Sequence, residues 1–123
     1  MIPAGLLQIA VKATDLDESI AFYRDQLGLT LLGRFDPPGI AFFDLGGTRL
    51  MLAADAPPGQ FYLRVDGVEA ARAELIGRGV AFETEPVRVH EDKAGQFGPP
   101  GLSDWMAFFR DPAGNIVALA ERR

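Results

Sequence analysis

The side chains that could bind a metal or move a proton are few, and three of them are neighbours. His90, the only histidine among the 123 residues, is followed directly by Glu91 and Asp92. Imidazole and carboxylate groups in one stretch are suited to acid–base or metal chemistry. Neighbouring residues of a strand point to opposite faces, however, which makes joint ligation by all three harder. Two interpretations of His90 stay open: a functional group, or an exposed histidine at the base of a loop.

Further polar groups lie on two similar stretches, QIAVKA near the start and QFYLRV in the middle of the chain. Both are predicted to be strands, with Gln8 on the open face of one and Gln60, Tyr62 and Arg64 on the open face of the other. Arg64 either holds a ligand carboxylate or extends into solvent. Tyr62 is either a ligand contact or a core aromatic, and the two glutamines either orient a ligand or form a structural pair.

The composition excludes several classes of function. The chain has no cysteine, which excludes disulfides, thiolate metal sites and a cysteine nucleophile. Its net charge is −5 and it has no basic cluster, so nucleic acid is not an expected partner. No apolar run approaches the roughly 20 residues of a membrane helix, and the start lacks the pattern of a signal peptide. The expected location is therefore the cytoplasm, without a membrane partner.

One hairpin sequence occurs twice in the chain. AFFDLGGTRLML at residues 41–52 is similar to AFFRDPAGNIVAL at residues 107–119, and Met51 and Ala118 occupy the same point in the two copies. In the second copy, Asp111 is predicted to form the turn. Upstream of each hairpin lie one of the two strand stretches and a helical pattern, so the order of elements repeats as well. The repeat predicts two copies of one structural module.

Each module is predicted to contain a strand, a helix and three further strands. The fold class is therefore α+β, in one domain over residues 1–123. Module one covers about residues 5–54, a linker rich in Pro and Gly covers residues 55–59, and module two covers about residues 60–121.

Start and stop signals flank the two predicted helices. Asp15 is expected to cap the first helix and Gly28 to end it. Gly67 stands at the matching position of the second helix and is a weaker cap, unless Asp66 serves instead. The strands that follow the two helices are expected at residues 29–33 and 80–83.

The βαβββ repeat, the stretch QIAVKATDLDESIAFYRDQLGL and the closing DPAGNIVALAERR resemble the vicinal oxygen chelate superfamily. That superfamily includes glyoxalase I, methylmalonyl-CoA epimerase, extradiol dioxygenases and bleomycin resistance proteins. The resemblance covers nearly the whole chain. It implies two βαβββ modules that form a U-shaped, partly closed β-barrel around a site, with the helices on the outside. It also implies a homodimer, in which modules are sometimes swapped between chains.

Metal-dependent members of the superfamily take their ligands from the first and last strands of each module. Carried onto this sequence, those positions are Gln8, Met51, Gln60 and Ala118. A neutral amide is a weak ligand for a hard divalent ion, a thioether prefers soft metals, and alanine has no donor atom. We therefore expect no metal of the family type, and no other cofactor.

Two functions follow from the resemblance. The first is a metal-free protein of the bleomycin-resistance type, which binds or sequesters a small organic molecule in a cavity between the modules. The alternative is a glyoxalase-like or epimerase-like lyase or isomerase, acting on a small carbonyl or thioester compound through an altered metal or acid–base site. Whether the chain is an enzyme stays open. The ligand-binding candidates are Gln8, Met51, Gln60, Tyr62, Arg64, His90, Trp105 and Ala118.

Module two is longer than module one because of the segment between Asp92 and Asp104. Its several glycines and prolines predict a loop, which is either a lid over the cavity or a surface excursion. Trp105 follows this loop. It either stacks on a ligand or is a core or interface aromatic.

Overall fold

The computed structural model describes residues 2–123, which form two compact units. Unit 1 contains residues 2–59 together with Asp111–Asn115, and unit 2 contains Gln60–Arg110 and Ile116–Arg123. Each unit holds one helix and one four-stranded sheet. The predicted α+β class, with two βαβββ modules, is confirmed. Within residues 2–123, no helix has the length and hydrophobicity needed to cross a membrane.

Unit 1 begins with a strand, continues through a helix and ends with three strands. Its elements are β1 (Gln8–Lys12), α1 (Leu16–Ala21) continued by a π-helical turn (Phe22–Gln26), β2 (Thr30–Phe35), β3 (Ile40–Asp44) and β4 (Arg49–Ala53). The strand order is β1-β4-β3-β2, in which β1 is parallel to β4 and the other pairs are antiparallel. The largest side chains of its core are Tyr23, Phe43, Leu50 and Leu52, all inaccessible to solvent.

Local signals account for the bounds of α1. The side chain of Asp15 accepts a hydrogen bond of 3.1 Å from the backbone N–H of Glu18, as predicted for a cap. Gly28 has a φ of 76°, a left-handed conformation that glycine adopts without strain, and it ends the helical segment as predicted.

Unit 2 repeats the same order. Its elements are β5 (Gln60–Arg64), α2 (Val68–Gly77), β6 (Val87–Asp92), β7 (Leu102–Arg110) and β8 (Ile116–Arg122). The strand order is β5-β8-β7-β6, with β5 parallel to β8. Each unit therefore pairs its first strand with its last, as expected from a duplicated module.

The second strand of unit 2 lies later than predicted. Residues 80–83 form no strand, and only Phe82 makes an isolated bridge, to Phe109. The next backbone donor along β7, the N–H of Phe108, bonds the Thr84 hydroxyl at 3.0 Å, so the ladder of backbone hydrogen bonds stops there. The strand forms instead at β6, after Pro86, which has no N–H to donate.

The start of α2 is also capped differently from the expectation. Gly67 is the residue before the helix and offers no side chain. The backbone N–H of Val68 donates instead to Oε1 of Glu121 on β8, at 3.1 Å. The Glu121 carboxylate, rather than that of Asp66, therefore caps the start of α2.

The turn Asp111–Asn115 joins two strands of unit 2 but packs within unit 1. Both oxygens of the buried Asp111 carboxylate accept hydrogen bonds, Oδ1 from the N–H groups of Ala113 and Asn115 and Oδ2 from the Tyr23 hydroxyl at 2.6 Å. The Asn115 amide donates to the carbonyl of Lys12 at 2.6 Å and accepts from the N–H of Gly59 at 2.8 Å. Asp111 is therefore a turn former, as predicted, and an anchor.

Candidate functional site

The first strand of unit 2 presents a row of polar side chains. On β5, Gln60, Tyr62 and Arg64 are exposed, whereas Phe61 is buried and Leu63 half-buried. This is the alternation expected for a strand with one packed face and one open face. Tyr62 is a large side chain to leave 53% exposed, which makes this face a candidate for ligand contact.

A cleft of about 380 Å³ opens along this row, within unit 2. A volume of this order suits a small organic molecule. Its floor includes Ala120, which lies opposite Arg64 in the strand register. The residues that line it are Tyr62, Arg64, Val65, Asp66, Asp104, Ala120, Glu121 and Arg122.

Three of the charged groups in the cleft are held by other groups of the protein. Arg122 donates to Oδ2 of Asp92 at 2.6 Å, and its Nη1 lies 3.8 Å from Oδ1 of Asp104. Glu121 accepts from Arg123 at 2.9 Å, in addition to capping α2. Arg122, Asp104 and Glu121 therefore each lie against at least one opposite charge of the protein.

Arg64 and Asp66 differ from these three groups. Within the described residues 2–123, neither side chain has a hydrogen bond or an ion pair. The hydroxyl of Tyr62 accepts a hydrogen bond from Nε2 of Gln60 at 2.7 Å, which leaves its own proton available to an acceptor. The open face therefore offers one unpaired guanidinium, one unpaired carboxylate and one hydroxyl donor.

Ala118 lies beneath an aromatic pair. In the register it is opposite Tyr62 on one side and Phe108 on the other, and it is completely buried. The rings of Tyr62 and Phe108 meet edge to face, with centroids 6.4 Å apart. The position matching a metal ligand of the family therefore holds a methyl group among aromatic rings.

The corresponding positions of unit 1 are Gln8 and Met51. Nε2 of Gln8 lies 3.5 Å from the sulfur of Met51, and its Oε1 accepts from Arg49 at 3.1 Å. The guanidinium of Arg49 in turn lies 5.9 Å from the ring centroid of Phe42. The amide oxygen, which is the atom that would bind a hard cation, is therefore already bonded to a cation.

Neither half of the family's ligand set suits a divalent metal. Unit 1 supplies a thioether and an amide paired with arginine, and unit 2 supplies an amide paired with tyrosine and an alanine. These donors bring no negative charge, which hard divalent ions require. Elsewhere in residues 2–123, no group of three or more His, Asp and Glu side chains is arranged to hold a metal ion.

The three neighbouring residues His90, Glu91 and Asp92 do not form one site. His90 is opposite Asp104 in the register and Glu91 is opposite Ser103, so the two side chains leave opposite faces of β6. The His90 ring is exposed and meets Phe97 edge to face, with centroids 5.6 Å apart. Of the residues next to His90 in the sequence or the structure, only Asp104 lines the cleft.

Asp92 organises the loop that follows it. Its carboxylate is 1% exposed and accepts from the N–H groups of Phe97 and Gln96, at 2.9 and 2.8 Å, and from Arg122. These bonds, led by that of Phe97, lower the pKa of Asp92 from 3.8 to about 2. Arg122 also donates to the carbonyl of Pro99, so the middle of the loop is bonded to both members of this ion pair.

Trp105 does not line the cleft. It is opposite Glu121 in the register, and the guanidinium of Arg123 lies 4.5 Å from its ring centroid. Arg123 also forms two bonds of 2.8 Å with Glu69 of α2. Trp105 is therefore part of a charged and aromatic cluster beside α2, apart from Tyr62 and Arg64.

Of the sequence candidates, the structure brings together Gln60, Tyr62, Arg64 and Ala118 on one sheet face of unit 2. Sequence reasoning missed Asp66, Asp104, Ala120 and Arg122. Extending the alternation of β8 beyond Ala118 would have pointed to Ala120 and Arg122. Asp104 had no such signal, because its place depends on the register of β7 with β8.

Comparison with known proteins gives relatives along the whole chain. The uncharacterized protein YraH of Bacillus subtilis (strain 168) is 27% identical over 132 residues, covering 93% of this chain and 95% of YraH. The structure of a lactoylglutathione lyase from Agrobacterium tumefaciens is 26% identical, with a TM-score of 0.76 over 98% of this chain and 96% of that chain.

A second solved structure shows the same fold at lower identity. It is a superfamily member from Sphaerobacter thermophilus DSM 20745, 21% identical, with a TM-score of 0.75 over 98% of this chain and 99% of that chain. The family model described as Glyoxalase/Bleomycin resistance protein/Dioxygenase superfamily matches residues 5–119. The resemblance noted from the βαβββ repeat is thus confirmed, and the chain belongs to the glyoxalase/bleomycin resistance protein/dioxygenase superfamily.

Proposed function

We propose that this chain binds a small organic molecule in the cleft of unit 2 and does so without a metal ion. The observation that carries the proposal is the exposed row of Gln60, Tyr62 and Arg64 beside a cleft of about 380 Å³. A concave site that combines polar groups with apolar contacts, here from Val65, Ala120 and the Tyr62 ring, is able to orient a small molecule. Binding or sequestration, as in bleomycin resistance proteins, needs nothing more than such a site.

The donor atoms at the family's ligand positions support the metal-free part of the proposal. Ala118 has no donor, and the amide oxygen of Gln8 accepts from Arg49. The remaining candidates contribute differently: Tyr62 and Arg64 contact the ligand, Gln60 orients the Tyr62 hydroxyl, and Ala118 packs beneath the Tyr62 ring. His90 and Trp105 have no assigned part in this binding.

The experiment fills the cleft. Ala120→Leu places a larger side chain on its floor, and Ala73→Leu makes the same change on an exposed position of α2. Organic molecules that co-purify with the wild type, or that raise its melting temperature in a screen, should be retained by Ala73→Leu and lost by Ala120→Leu. Equal binding by the two variants would contradict the assignment of the cleft.

A second candidate function is a lyase or isomerase reaction on a small carbonyl or thioester compound. It is favoured by the 26% identity to a lactoylglutathione lyase over nearly the full length of both chains. His90, Glu91 and Tyr62 would be its acid–base residues. A lactoylglutathione lyase assay, with and without added divalent ions, tests it, and turnover that His90→Gln abolishes would replace the binding function.

We also propose a cytoplasmic homodimer, by analogy with the superfamily. Size-exclusion chromatography with light scattering measures the mass of the assembly directly. A mass of twice 13.3 kDa is expected, and a monomer at all concentrations would contradict it.

A further inference from the structure

The charges of the cleft indicate what kind of molecule it takes. Five charged residues line it, and three of them form ion pairs within the protein: Arg122 with Asp92 and Asp104, and Glu121 with Arg123. The two remaining residues, Arg64 and Asp66, have opposite charges and no partner within residues 2–123. A ligand that completes the cleft therefore needs one negative and one positive group.

Position along the chain keeps these two groups apart from each other but within reach of one ligand. Arg64 is the last residue of β5, and Asp66 lies two residues later, at the bend that leads into α2, so both side chains line the same cleft. No ion pair joins their side chains. A molecule with an ammonium and a carboxylate on the same carbon can lie between them and pair with both.

The neighbouring groups add direction to this recognition. The Tyr62 hydroxyl accepts from Gln60, so its own proton is directed to an acceptor such as a carboxylate. Tyr62 and Arg64 are alternate residues of β5 and share one face, so both can donate to the same anionic group. Val65, Ala120 and the Tyr62 ring supply the apolar contact for the rest of the molecule.

Resting on the proposed binding function, we infer that the ligand is a zwitterionic amino carboxylate with an apolar or aromatic side chain. Its carboxylate is bound by Arg64 and the Tyr62 hydroxyl, and its ammonium group by Asp66. A ligand carrying only a carboxylate would leave Asp66 unpaired beside it, and a simple amine would leave Arg64 unpaired.

Three compounds with the same aromatic body test the inference: phenylalanine, 3-phenylpropanoate, which lacks the amine, and 2-phenylethylamine, which lacks the carboxylate. Isothermal titration calorimetry on the full chain should show phenylalanine binding about tenfold more tightly than either analogue, or better. Arg64→Gln should weaken the binding of phenylalanine to the affinity that the wild type has for 2-phenylethylamine. Asp66→Asn should weaken it to the level of 3-phenylpropanoate.

Arg88→Gln is the matched control, because Arg88 is an exposed arginine of β6 outside the cleft, and its affinities should equal those of the wild type. Equal affinities for the three compounds, or binding of none of them, would overturn the inference. If another organic ligand bound the wild type but not Ala120→Leu, the cleft would remain a binding site, for a different chemical class. If Ala120→Leu bound such a ligand as tightly as the wild type does, the proposed function itself would be wrong.

Discussion

Asp92 shows how a single buried carboxylate organises the loop between β6 and β7. It accepts hydrogen bonds from two backbone N–H groups of the loop and pairs with Arg122, which lines the cleft. Because its pKa falls to about 2 in the folded protein, the carboxylate stays ionised under all ordinary conditions. The loop between Asp92 and Asp104 is thereby tied to the wall of the cleft.

Asp92→Asn is expected to lower the stability of the protein at neutral pH. The folded-state pKa is below the unfolded value, so the unfolded chain binds more protons between pH 3.8 and about 2, and the contribution of Asp92 is lost as the pH falls through that range. Urea unfolding of the wild type and the variant from pH 7 to pH 2 should show two midpoints that converge below pH 4. A difference that stays constant down to pH 2 would contradict this role.

The part played by Asp92 could not be read from its neighbours in the sequence. His90, Glu91 and Asp92 together indicate acid–base chemistry, but the partner that decides the role of Asp92 is Arg122, 30 residues away. The open face of β5 was predictable, in contrast, because strand alternation alone places Gln60, Tyr62 and Arg64 together. Local periodicity therefore identified Tyr62 and Arg64 of the residues that line the cleft, and long-range strand pairing brings Asp104, Ala120 and Arg122 to them.

Among the elements, the turn Asp111–Asn115 makes the most specific contacts. The buried Asp111 carboxylate accepts a hydrogen bond from the Tyr23 hydroxyl, and the Asn115 amide is hydrogen-bonded to the backbone of Lys12 and Gly59. Burial and the adjacent Asp111 raise the pKa of Tyr23, so its hydroxyl remains a hydrogen-bond donor. The turn thus fastens α1 and the end of β1 in unit 1.

Tyr23→Phe is expected to destabilise the protein by about 1–3 kcal/mol, because a buried bond to a charged acceptor is lost. Asp111 keeps its bonds from Ala113 and Asn115, which limits the cost. Chemical denaturation measures the change. Tyr62→Phe is the matched control: its hydroxyl is exposed, so a change within about 0.5 kcal/mol is expected. Equal losses of stability in Tyr23→Phe and Tyr62→Phe would contradict a specific contribution of the buried hydrogen bond between Tyr23 and Asp111.

The elements themselves were largely predictable from local signals. Asp15 and Gly28 bound the first helix as expected, and the repeated hairpin predicted two modules with the same order of elements. The error at residues 80–83 has a tertiary cause. The place of these residues after the second helix predicts a strand, but the Thr84 hydroxyl takes the backbone donor of Phe108 that the ladder would have used.

At the scale of the whole molecule, the chain is divided into two units, each built from two separate segments of the sequence. Residues 111–115 leave unit 2, pack in unit 1 and return to β8. We propose that residues 1–123 are one domain for this reason, although each unit has its own sheet. We therefore expect a change in the packing of this turn to alter the stability of both units, because β7 and β8 are joined through it.

Trp105, the only tryptophan, reports on unit 2, whereas Tyr23 lies in unit 1. Tyr23→Phe should therefore shift the unfolding midpoint of Trp105 fluorescence by the same amount as that of far-ultraviolet circular dichroism. The physical reason is cooperative unfolding of a single domain. An unchanged fluorescence midpoint, with an earlier transition in circular dichroism, would mean that the two units unfold independently.

The central claim, binding of a small organic molecule without a metal ion, is tested most directly by native mass spectrometry on protein purified without added metal. We predict chains that carry an organic adduct and no divalent ion, with a mass spectrum and a melting temperature that EDTA leaves unchanged. One stoichiometric divalent ion per chain, removed by EDTA with loss of stability, would contradict the account given of Gln8, Met51, Gln60 and Ala118.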